Sequence, residues 1–305
     1  MKQIVLITGA NGMLAKHLAE QLENDYSIRF LSRKVTHENE YLWDNNTKYI
    51  DPKALIGVSY IIHLAGASIA NKRWSKKRKE TIISSRVDSA HLILEELKRN
   101  KITIDAFISA SAIGYYGTTT TNTVFNEQSP SGNDYLSTVC TKWEKAAHLF
   151  KSENVATSVS VVRIGVILSK NGGALTKIVQ SIKSGLGSGL GKGTQYIPWI
   201  HIQDLCEIFK FILEHKPMSG TFNAVSPEHT TNIELTREIA KSLDRKIILP
   251  NIPRFIIKGL FGEMAVILLE GSRVSADKIK KSGFKFEYEN LGKALSSILK
   301  TDKIS

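Results

Sequence analysis

The run Ile4-Val5-Leu6-Ile7-Thr8, broken by Gly9-Ala10-Asn11-Gly12 and continued by Met13, Leu14, Ala15, Leu18 and Leu22, constrains the fold more than any other stretch. A short β-branched apolar run reads as a buried strand, and the apolar spacing after the glycines is helical. A strand that turns at once into a helix leaves the first N–H groups of that helix unpaired. They point at the turn, where the helix dipole favours negative charge. Gly9 permits the tight turn. Gly12 removes the side chain that would hold a pyrophosphate off the backbone, and Ala15 stands where a third small residue lets helix and strand pack closely. The predicted cradle is Gly9, Asn11, Gly12, Met13 and Leu14, and the group it suits is a dinucleotide pyrophosphate. The bland alternative is an ordinary strand–helix turn that needs glycine; the position between a strand and an amphipathic helix favours the cradle.

Tyr26-Ser27-Ile28-Arg29-Phe30-Leu31 reads as the second strand and ends at Ser32-Arg33-Lys34. In a dinucleotide fold that strand end meets the adenosine ribose. A carboxylate there accepts from a free 2′-hydroxyl, whereas an arginine accommodates a 2′-phosphate. Here the carboxylate is missing, Ser32 can bond a phosphate, and Arg33 and Lys34 supply charge, so NADP(H) is expected over NAD(H). Val58 to Ala67 is a nearly continuous apolar strand, as a sheet covered on both faces requires. Its small terminal residues Ala65 and Gly66 let a nucleotide lie across the carboxyl end. His63, inside that run, reads as a satisfied core histidine. A helical pattern from about Ser75 to Leu97 carries Arg86 on the crossover, within reach of a phosphate. Ile104 to Ala112 is the next strand, followed by Ile113-Gly114-Tyr115-Tyr116-Gly117 and a polar loop. A helix from about Tyr135 through Trp143 to Phe150 and a strand from Val155 to Ile167 come next. Strand and helix alternate throughout, which predicts an α/β fold built on a Rossmann-type doubly wound parallel sheet.

The second half changes character. Residues 184–193 alternate glycine with other residues and are expected to be flexible and to lie over a pocket. Pro198 to Asp204 is expected to open a helix. Trp199 and His201 are placed at the pocket floor, His201 foremost as a structural residue. Thr221 to Val225 reads as a short strand, and the chain is mostly helical from Asn232. The expected organisation is a dinucleotide-binding domain over 1–170 with a returning segment at about 200–228, a smaller substrate-side region over 171–250, and a helical tail over 251–305. A chain of 305 residues is long enough to bury such a core.

Cys140 and Cys206 are the only cysteines. They have neither a disulfide framework nor metal-ligand spacing, so no metal site is expected and a reducing, cytoplasmic compartment is. The sequence shows neither a signal-peptide pattern nor an apolar run long enough to span a membrane. The net charge of +12 is the one unusual bulk property, and much of it sits in Lys72-Arg73-Trp74-Ser75-Lys76-Lys77-Arg78-Lys79. Such charge admits nucleic acid, an anionic membrane surface or a phosphorylated ligand. With no nucleic-acid-binding motif beside it, the expected partner is a small-molecule substrate, without nucleic acid or membrane. The substrate's identity and the oligomeric state stay open.

Taken together, these residues resemble the extended short-chain dehydrogenase/reductase superfamily, and more narrowly its epimerase-family (YfcH-like) branch with an appended C-terminal domain of unknown function. The resemblance covers nearly the whole chain. It rests on Thr8-Gly9-Ala10-Asn11-Gly12, Ser32-Arg33, His63-Leu64-Ala65-Gly66, Lys72-Arg73-Trp74, Ser85-Arg86, Ser109-Ala110-Ser111-Ala112 with Gly114-Tyr115-Tyr116-Gly117, Val139-Cys140 with Trp143-Glu144, Asn171-Gly172-Gly173-Ala174, Trp199-Ile200-His201-Ile202 and Gly271-Ser272-Arg273-Val274. It implies NADP(H), with Ser32, Arg33, Leu64, Ala65 and Arg86 among the cofactor contacts.

The superfamily's reaction uses a tyrosine as acid/base, a lysine four residues on that lowers its pKa, and a serine or threonine on the substrate oxygen. Here Tyr135 is followed four positions on by Val139, and the nearest lysine, Lys142, lies seven on, about 10 Å further along a helix axis. The usual serine position falls on Ala112, and Ser111 one residue earlier faces the other side of a strand. The activity expected is therefore that of an NADP(H)-binding, epimerase-like oxidoreductase acting on a small polar or sugar-type substrate. Ser111 and Tyr135 are the candidates for the substrate oxygen, with Tyr116 in reserve. The missing dyad keeps a second class open: a protein that binds NADP(H) without turning it over and reports redox state to a partner. Members of the family are sometimes catalogued as cell-division inhibitors.

Overall fold

The computed structural model describes residues 2–215 and 218–299. The first half runs β1 (Ile4–Thr8), α1 (Met13–Leu22), β2 (Ser27–Ser32), β3 (Glu40–Asp44), β4 (Tyr49–Ile50), β5 (Val58–His63), α2 (Lys76–Arg99), β6 (Ile104–Ala112), β7 (Val124–Phe125), α3 (Tyr135–Ser152) and β8 (Ala156–Ile164). The second runs β9 (Val166–Leu168), α4 (Gly173–Lys183), β10 (Trp199–His201), α5 (Ile202–Glu214), β11 (Gly220–Ala224), α6 (Asn232–Ser242), α7 (Arg254–Phe261), α8 (Val266–Leu269), β12 (Arg273–Val274), α9 (Asp277–Lys281) and α10 (Leu291–Leu299). Eight strands form one sheet in the order β11-β8-β6-β5-β1-β2-β3-β4. Every pairing in it is parallel except β3 with β4.

Alternation along each strand explains the layers. In β1, Val5 and Ile7 face the cluster holding Leu18 and Leu22 of α1 and Leu205, Ile208 and Phe209 of α5. Leu6 faces the other way, toward Ile93 and Leu97 of α2 and Ala147 and Phe150 of α3. Helices thus cover both faces of the sheet, which is the Rossmann-type, doubly wound arrangement. β1 pairs with β2 on one side and β5 on the other, so the strand order reverses there. The crevice outside their carboxyl ends is where open α/β sheets hold ligands.

The second half differs from the sequence reading in three ways. The apolar run 155–167 is two strands, broken at Gly165. The Gly165 N–H donates to the Ala224 carbonyl at 3.0 Å, and the next N–H, of Val166, donates to the Pro198 carbonyl at 2.7 Å, so the chain leaves the main sheet to pair β9 with β10. Trp199 is not on a pocket floor. It lies fully buried among Leu168, Leu235, Ile239 and Leu295 in the cluster that joins α4, α6 and α10, with its indole N–H on the Thr230 hydroxyl at 3.0 Å. Residues 184–193 are a packed segment, not a lid. The Ile252 N–H donates to the Gly189 carbonyl at 2.8 Å, the Gly191 N–H to the Ile252 carbonyl at 2.9 Å, and the Asn232 side chain takes the Leu190 N–H at 2.8 Å. Glycine serves close backbone approach there. β3 and β4 extend the far edge from a segment, Glu40-Tyr41-Leu42-Trp43-Asp44, whose mixed polarity does not announce a strand. Among the described residues, no helix is long and apolar enough to cross a membrane.

Candidate nucleotide crevice and adjoining cavity

The crevice is shaped by one hydroxyl whose role no local pattern announces. Thr8, at the end of β1, is fully buried. Its Oγ1 accepts the Leu64 N–H at 3.0 Å and the Ala65 N–H at 2.9 Å, holding the chain after β5 against β1. With both lone pairs used, its proton goes to His63 Nδ1 at 3.0 Å. His63 Nε2 therefore carries the ring proton and donates to the Arg86 carbonyl at 3.2 Å. The core-histidine reading of His63 holds, with a purpose: a neutral imidazole ties β1, β5 and α2 together beneath the crevice.

Burial, with a smaller contribution from the Arg86 charge, lowers the His63 pKa from 6.5 to about 4. A base whose folded pKa lies below its free value contributes stability that is complete above the free pKa and is lost as pH falls toward the folded one. From His63, the unfolding free energy is expected to drop by about 1 kcal/mol between pH 6.5 and 5.5, and further down to pH 4. Urea midpoints measured across that range check it, with His63→Gln giving the shallower pH dependence.

Gly9 closes the turn at φ +82°, and a Cβ there would lie 3.3 Å from the Leu64 carbonyl. The Gly12 N–H donates to the Gly9 carbonyl at 2.7 Å. No side chain caps α1 and its first turn holds no acidic residue, so the N–H groups of Met13 and Leu14, beside exposed Asn11, meet a bare, positively polarised helix end. That is the donor chemistry a pyrophosphate requires. At the end of β2, Ser32 is buried and its hydroxyl donates to the Lys34 carbonyl at 2.7 Å. Arg33 is exposed, with no hydrogen bond or ion pair among the described residues. The Glu40 carboxylate on the neighbouring strand is occupied by the Thr36 N–H at 2.6 Å and the Thr36 hydroxyl at 3.0 Å.

Arg86 lies 94% buried against Gly66, where a Cβ would come within 2.9 Å of its Cζ. Its Nη1 donates to the Ala67 and Ile82 carbonyls at 3.1 and 2.8 Å, and its guanidinium sits 4.9 Å from the Trp143 ring centroid. Nε is buried without a partner, and burial lowers the guanidinium pKa. Nη2 also makes no hydrogen bond among the described residues, so the loop after β5 and α2 hold a desolvated cation with several donors unspent, as an anion site would.

Next to Arg86 opens an inner cavity of about 270 Å³, walled mainly by apolar side chains including Ala112, Ile113, Leu136, Val139 and Ile197. It shares Thr118 and Glu270 with an outer cleft of about 870 Å³ that Arg254 and Lys258 of α7 also line. Asp134 fastens this mouth. Its carboxylate caps α3 through the Ser137 N–H at 2.9 Å and takes the Thr118 N–H at 2.6 Å.

Neither Ser111 nor Tyr135 lines the cavity. The Ser111 hydroxyl donates to Glu144 Oε1 at 2.7 Å. Ala112, one residue on, takes the cavity side, the alternation expected of a strand. The Tyr135 hydroxyl donates to the Lys79 carbonyl at 3.0 Å, its ring lies 4.9 Å from that of Trp74, and burial raises its pKa. The structure therefore does not bring these two hydroxyls to one point in the cavity. The α3 residues that do line it are Leu136, Val139, Cys140 and Trp143. Burial, reinforced by the Glu144 charge, pushes the Cys140 thiol up to about 12. Tyr116 reaches the cavity, but its hydroxyl donates to Asn223 Oδ1 at 2.7 Å and accepts from Arg163 Nη1 at 3.0 Å. Burial pushes its pKa up to about 12. His201 caps α5 by accepting the Gln203 N–H at 3.1 Å and stacks on Tyr288 at 3.8 Å, a structural position outside the cavity. Among the described residues, no three His, Cys, Asp or Glu side chains converge as metal ligands.

Residues 5–224 match the family model of the NAD dependent epimerase/dehydratase family. The chain belongs to that family. Residues 252–298 match a second model, a domain of unknown function, DUF1731. Among relatives of this epimerase-family chain, the epimerase family protein SDR39U1 homolog, chloroplastic, of Arabidopsis thaliana is 32% identical over 97% of the chain and 86% of its own length. The crystal structure of the human epimerase family protein SDR39U1 (isoform2) with NADPH superposes with a TM-score of 0.89 at 29% identity, covering 98% of this chain and 99% of that one. A nucleoside-diphosphate sugar epimerase from Corynebacterium glutamicum gives 0.80 at 27% identity, covering 98% of this chain and 58% of that one.

Proposed function

We propose that this epimerase-family chain is an NADP(H)-binding oxidoreductase that passes hydride to or from a small substrate in the inner cavity. The observation that carries the cofactor choice is the pairing of an uncapped α1 N-terminus with a β2 end that bears Arg33 and no free carboxylate. The NADPH of the human relative's crystal structure supports the same choice. Gly9, Asn11, Gly12, Met13 and Leu14 would receive the pyrophosphate. Ser32 and Arg33 would hold the 2′-phosphate, Leu64, Ala65 and Gly66 would carry the nucleotide across β5, and Arg86 would turn its unbonded Nη2 to an anionic oxygen. When bound, the nicotinamide supplies or accepts the hydride.

The apolar inner cavity suits an apolar reacting end. The polar or sugar-type part of the substrate anticipated from sequence would occupy the outer cleft, beside the threonines from Thr118 to Thr121 and Arg254. Ser111 and Tyr135 act as positioning residues, one bracing Glu144 and the other α2. With Cys140 and Tyr116 both pushed to about 12, neither gives up a proton readily at neutral pH, and water entering from the outer cleft serves that role. Buried free thiols at Cys140 and Cys206 support a reducing compartment such as the cytoplasm.

The test follows loss of NADPH absorbance over carbonyl compounds and sugar nucleotides. With a substrate found, Tyr135→Phe is expected to change kcat by less than about twofold, since a general acid would be worth at least about a hundredfold. A loss on that scale with KM unchanged would return Tyr135 to the role of acid. An α3 cavity wall of Leu136, Val139, Cys140 and Trp143, with neither tyrosine nor lysine in it, favours one other reading, a protein that binds NADP(H) and reports its redox state. NADPH binding without turnover across the whole substrate set would put that reading first.

A further inference from the structure

None of residues 72–79 lines the inner cavity or the outer cleft, yet the fold gives the run a neighbour that sequence does not. The Arg73 guanidinium donates to the Gly259 carbonyl of α7, and the Lys79 ammonium pairs with Glu263 just beyond that helix. Helix α7 buries Ile257 and turns Phe255, Ile256 and Leu260 outward, 74%, 40% and 64% exposed. Ile248 (85%) and Leu249 precede it, and Leu186 (62%) lies on the segment that packs along residues 247–252. More than half of the exposed large apolar side chains among the described residues thus come from one pair of adjoining segments. Exposed cations accompany them: Arg73 at Gly259, with Lys72, Lys76 and Lys77 near it in the chain, and Arg245 and Lys246 just before Ile248. Large apolar side chains beside like-signed charge are the composition of a surface that inserts shallowly between lipid headgroups.

We propose that this face docks on anionic lipid membranes, the cations meeting headgroup phosphates and the α7 side chains entering the acyl boundary. Charge complementarity selects this occupant. A second copy bound face to face about a two-fold axis would set the same cations against themselves, and a nucleic acid would leave Phe255, Ile248 and Leu260 without an apolar partner. Because Arg254 and Lys258 of α7 also line the outer cleft, docking would place the cleft mouth at the lipid surface. The proposal stands independently of any turnover.

Flotation of the full chain with vesicles of phosphatidylcholine, with and without phosphatidylglycerol, tests it. Binding is expected only with phosphatidylglycerol, and should vanish at about 1 M salt, where screening acts within ~3 Å. Phe255→Ser with Leu260→Ser, and separately Lys72→Glu with Lys76→Glu, should each weaken binding by more than about tenfold. Ile56→Ser, equally exposed but outside the patch, should leave it unchanged, and retained NADPH binding shows each variant folded. No binding to anionic vesicles overturns the proposal, as does binding insensitive to Phe255 and Leu260. Tighter, charge-dependent binding to duplex DNA points to nucleic acid instead. A dimer in sedimentation velocity that Phe255→Ser with Leu260→Ser dissolves points to a second copy.

Discussion

Glu144→Ala is expected to lower the unfolding free energy by about 3–5 kcal/mol, a large part of what holds a domain folded. Glu144 and Arg163 form a bidentate pair with side chains only 7% and 4% exposed. Nε meets Oε1 and Nη2 meets Oε2, each at 2.8 Å. The Ser111 hydroxyl takes a further lone pair of Oε1, the guanidinium covers the Tyr115 ring at 3.3 Å, and Nη1 continues to Tyr116. Arg163 thus extends the network to the Tyr115-Tyr116 turn, and three elements, β6, α3 and β8, meet at one carboxylate. Its removal strands a desolvated guanidinium with only the Tyr116 hydroxyl and a ring face. The pair itself need not be strongly stabilising, because two charges were taken from water to make it. Hence Glu144→Leu combined with Arg163→Met should recover most of the loss. Urea denaturation of the three variants measures both statements. A single-variant loss under about 1 kcal/mol would show that Arg163 finds water or another acceptor.

Arg33→Ala should weaken NADPH binding by about ten- to a hundredfold and leave NADH binding within about twofold. A charge-assisted hydrogen bond to phosphate is worth about 1.5–3 kcal/mol, and only NADPH carries the 2′-phosphate. Arg33 is exposed and engaged with no other group among the described residues, so the change removes an interaction without breaking an internal one. The effect should shrink with added salt, as expected of an exposed cation. Parallel fluorescence titrations of the two reduced cofactors give the ratio directly, and equal losses for both would mean that Arg33 acts on the fold or on the shared pyrophosphate.

Much of the frame was legible before any coordinate. The break from β-branched to helical spacing at Gly9, the acid-free Ser32-Arg33, and the alternation of buried strands with amphipathic helices depend on neighbours a few residues apart. At that range, periodicity and turn chemistry are physical constraints. The face of Ser111 also followed from period-two alternation alone, with Ala112 turned to the cavity.

What was not legible depends on distant partners. Gly165 looks like an interruption tolerated within one strand, until the Ala224 and Pro198 carbonyls each claim an N–H at the break. The glycines at 184–193 look like a flexible stretch over a pocket, until Ile247 at Gly187 and Asn251 at Gly189 and Gly193 occupy the space their missing side chains leave. Thr8 gives no local sign of its three hydrogen bonds across the crevice. On α3 the cavity-facing residues are Leu136, Val139, Cys140 and Trp143 while Tyr135 turns to the Lys79 carbonyl, because Asp134 caps the helix and fixes its rotation. Local spacing specified the sheet, the helices and the phosphate-ready turn. Which side chains share a cavity, and that the basic run at 72–79 lies against an apolar helix nearly two hundred residues later, were settled by long-range packing, for which periodicity along the chain carries no information.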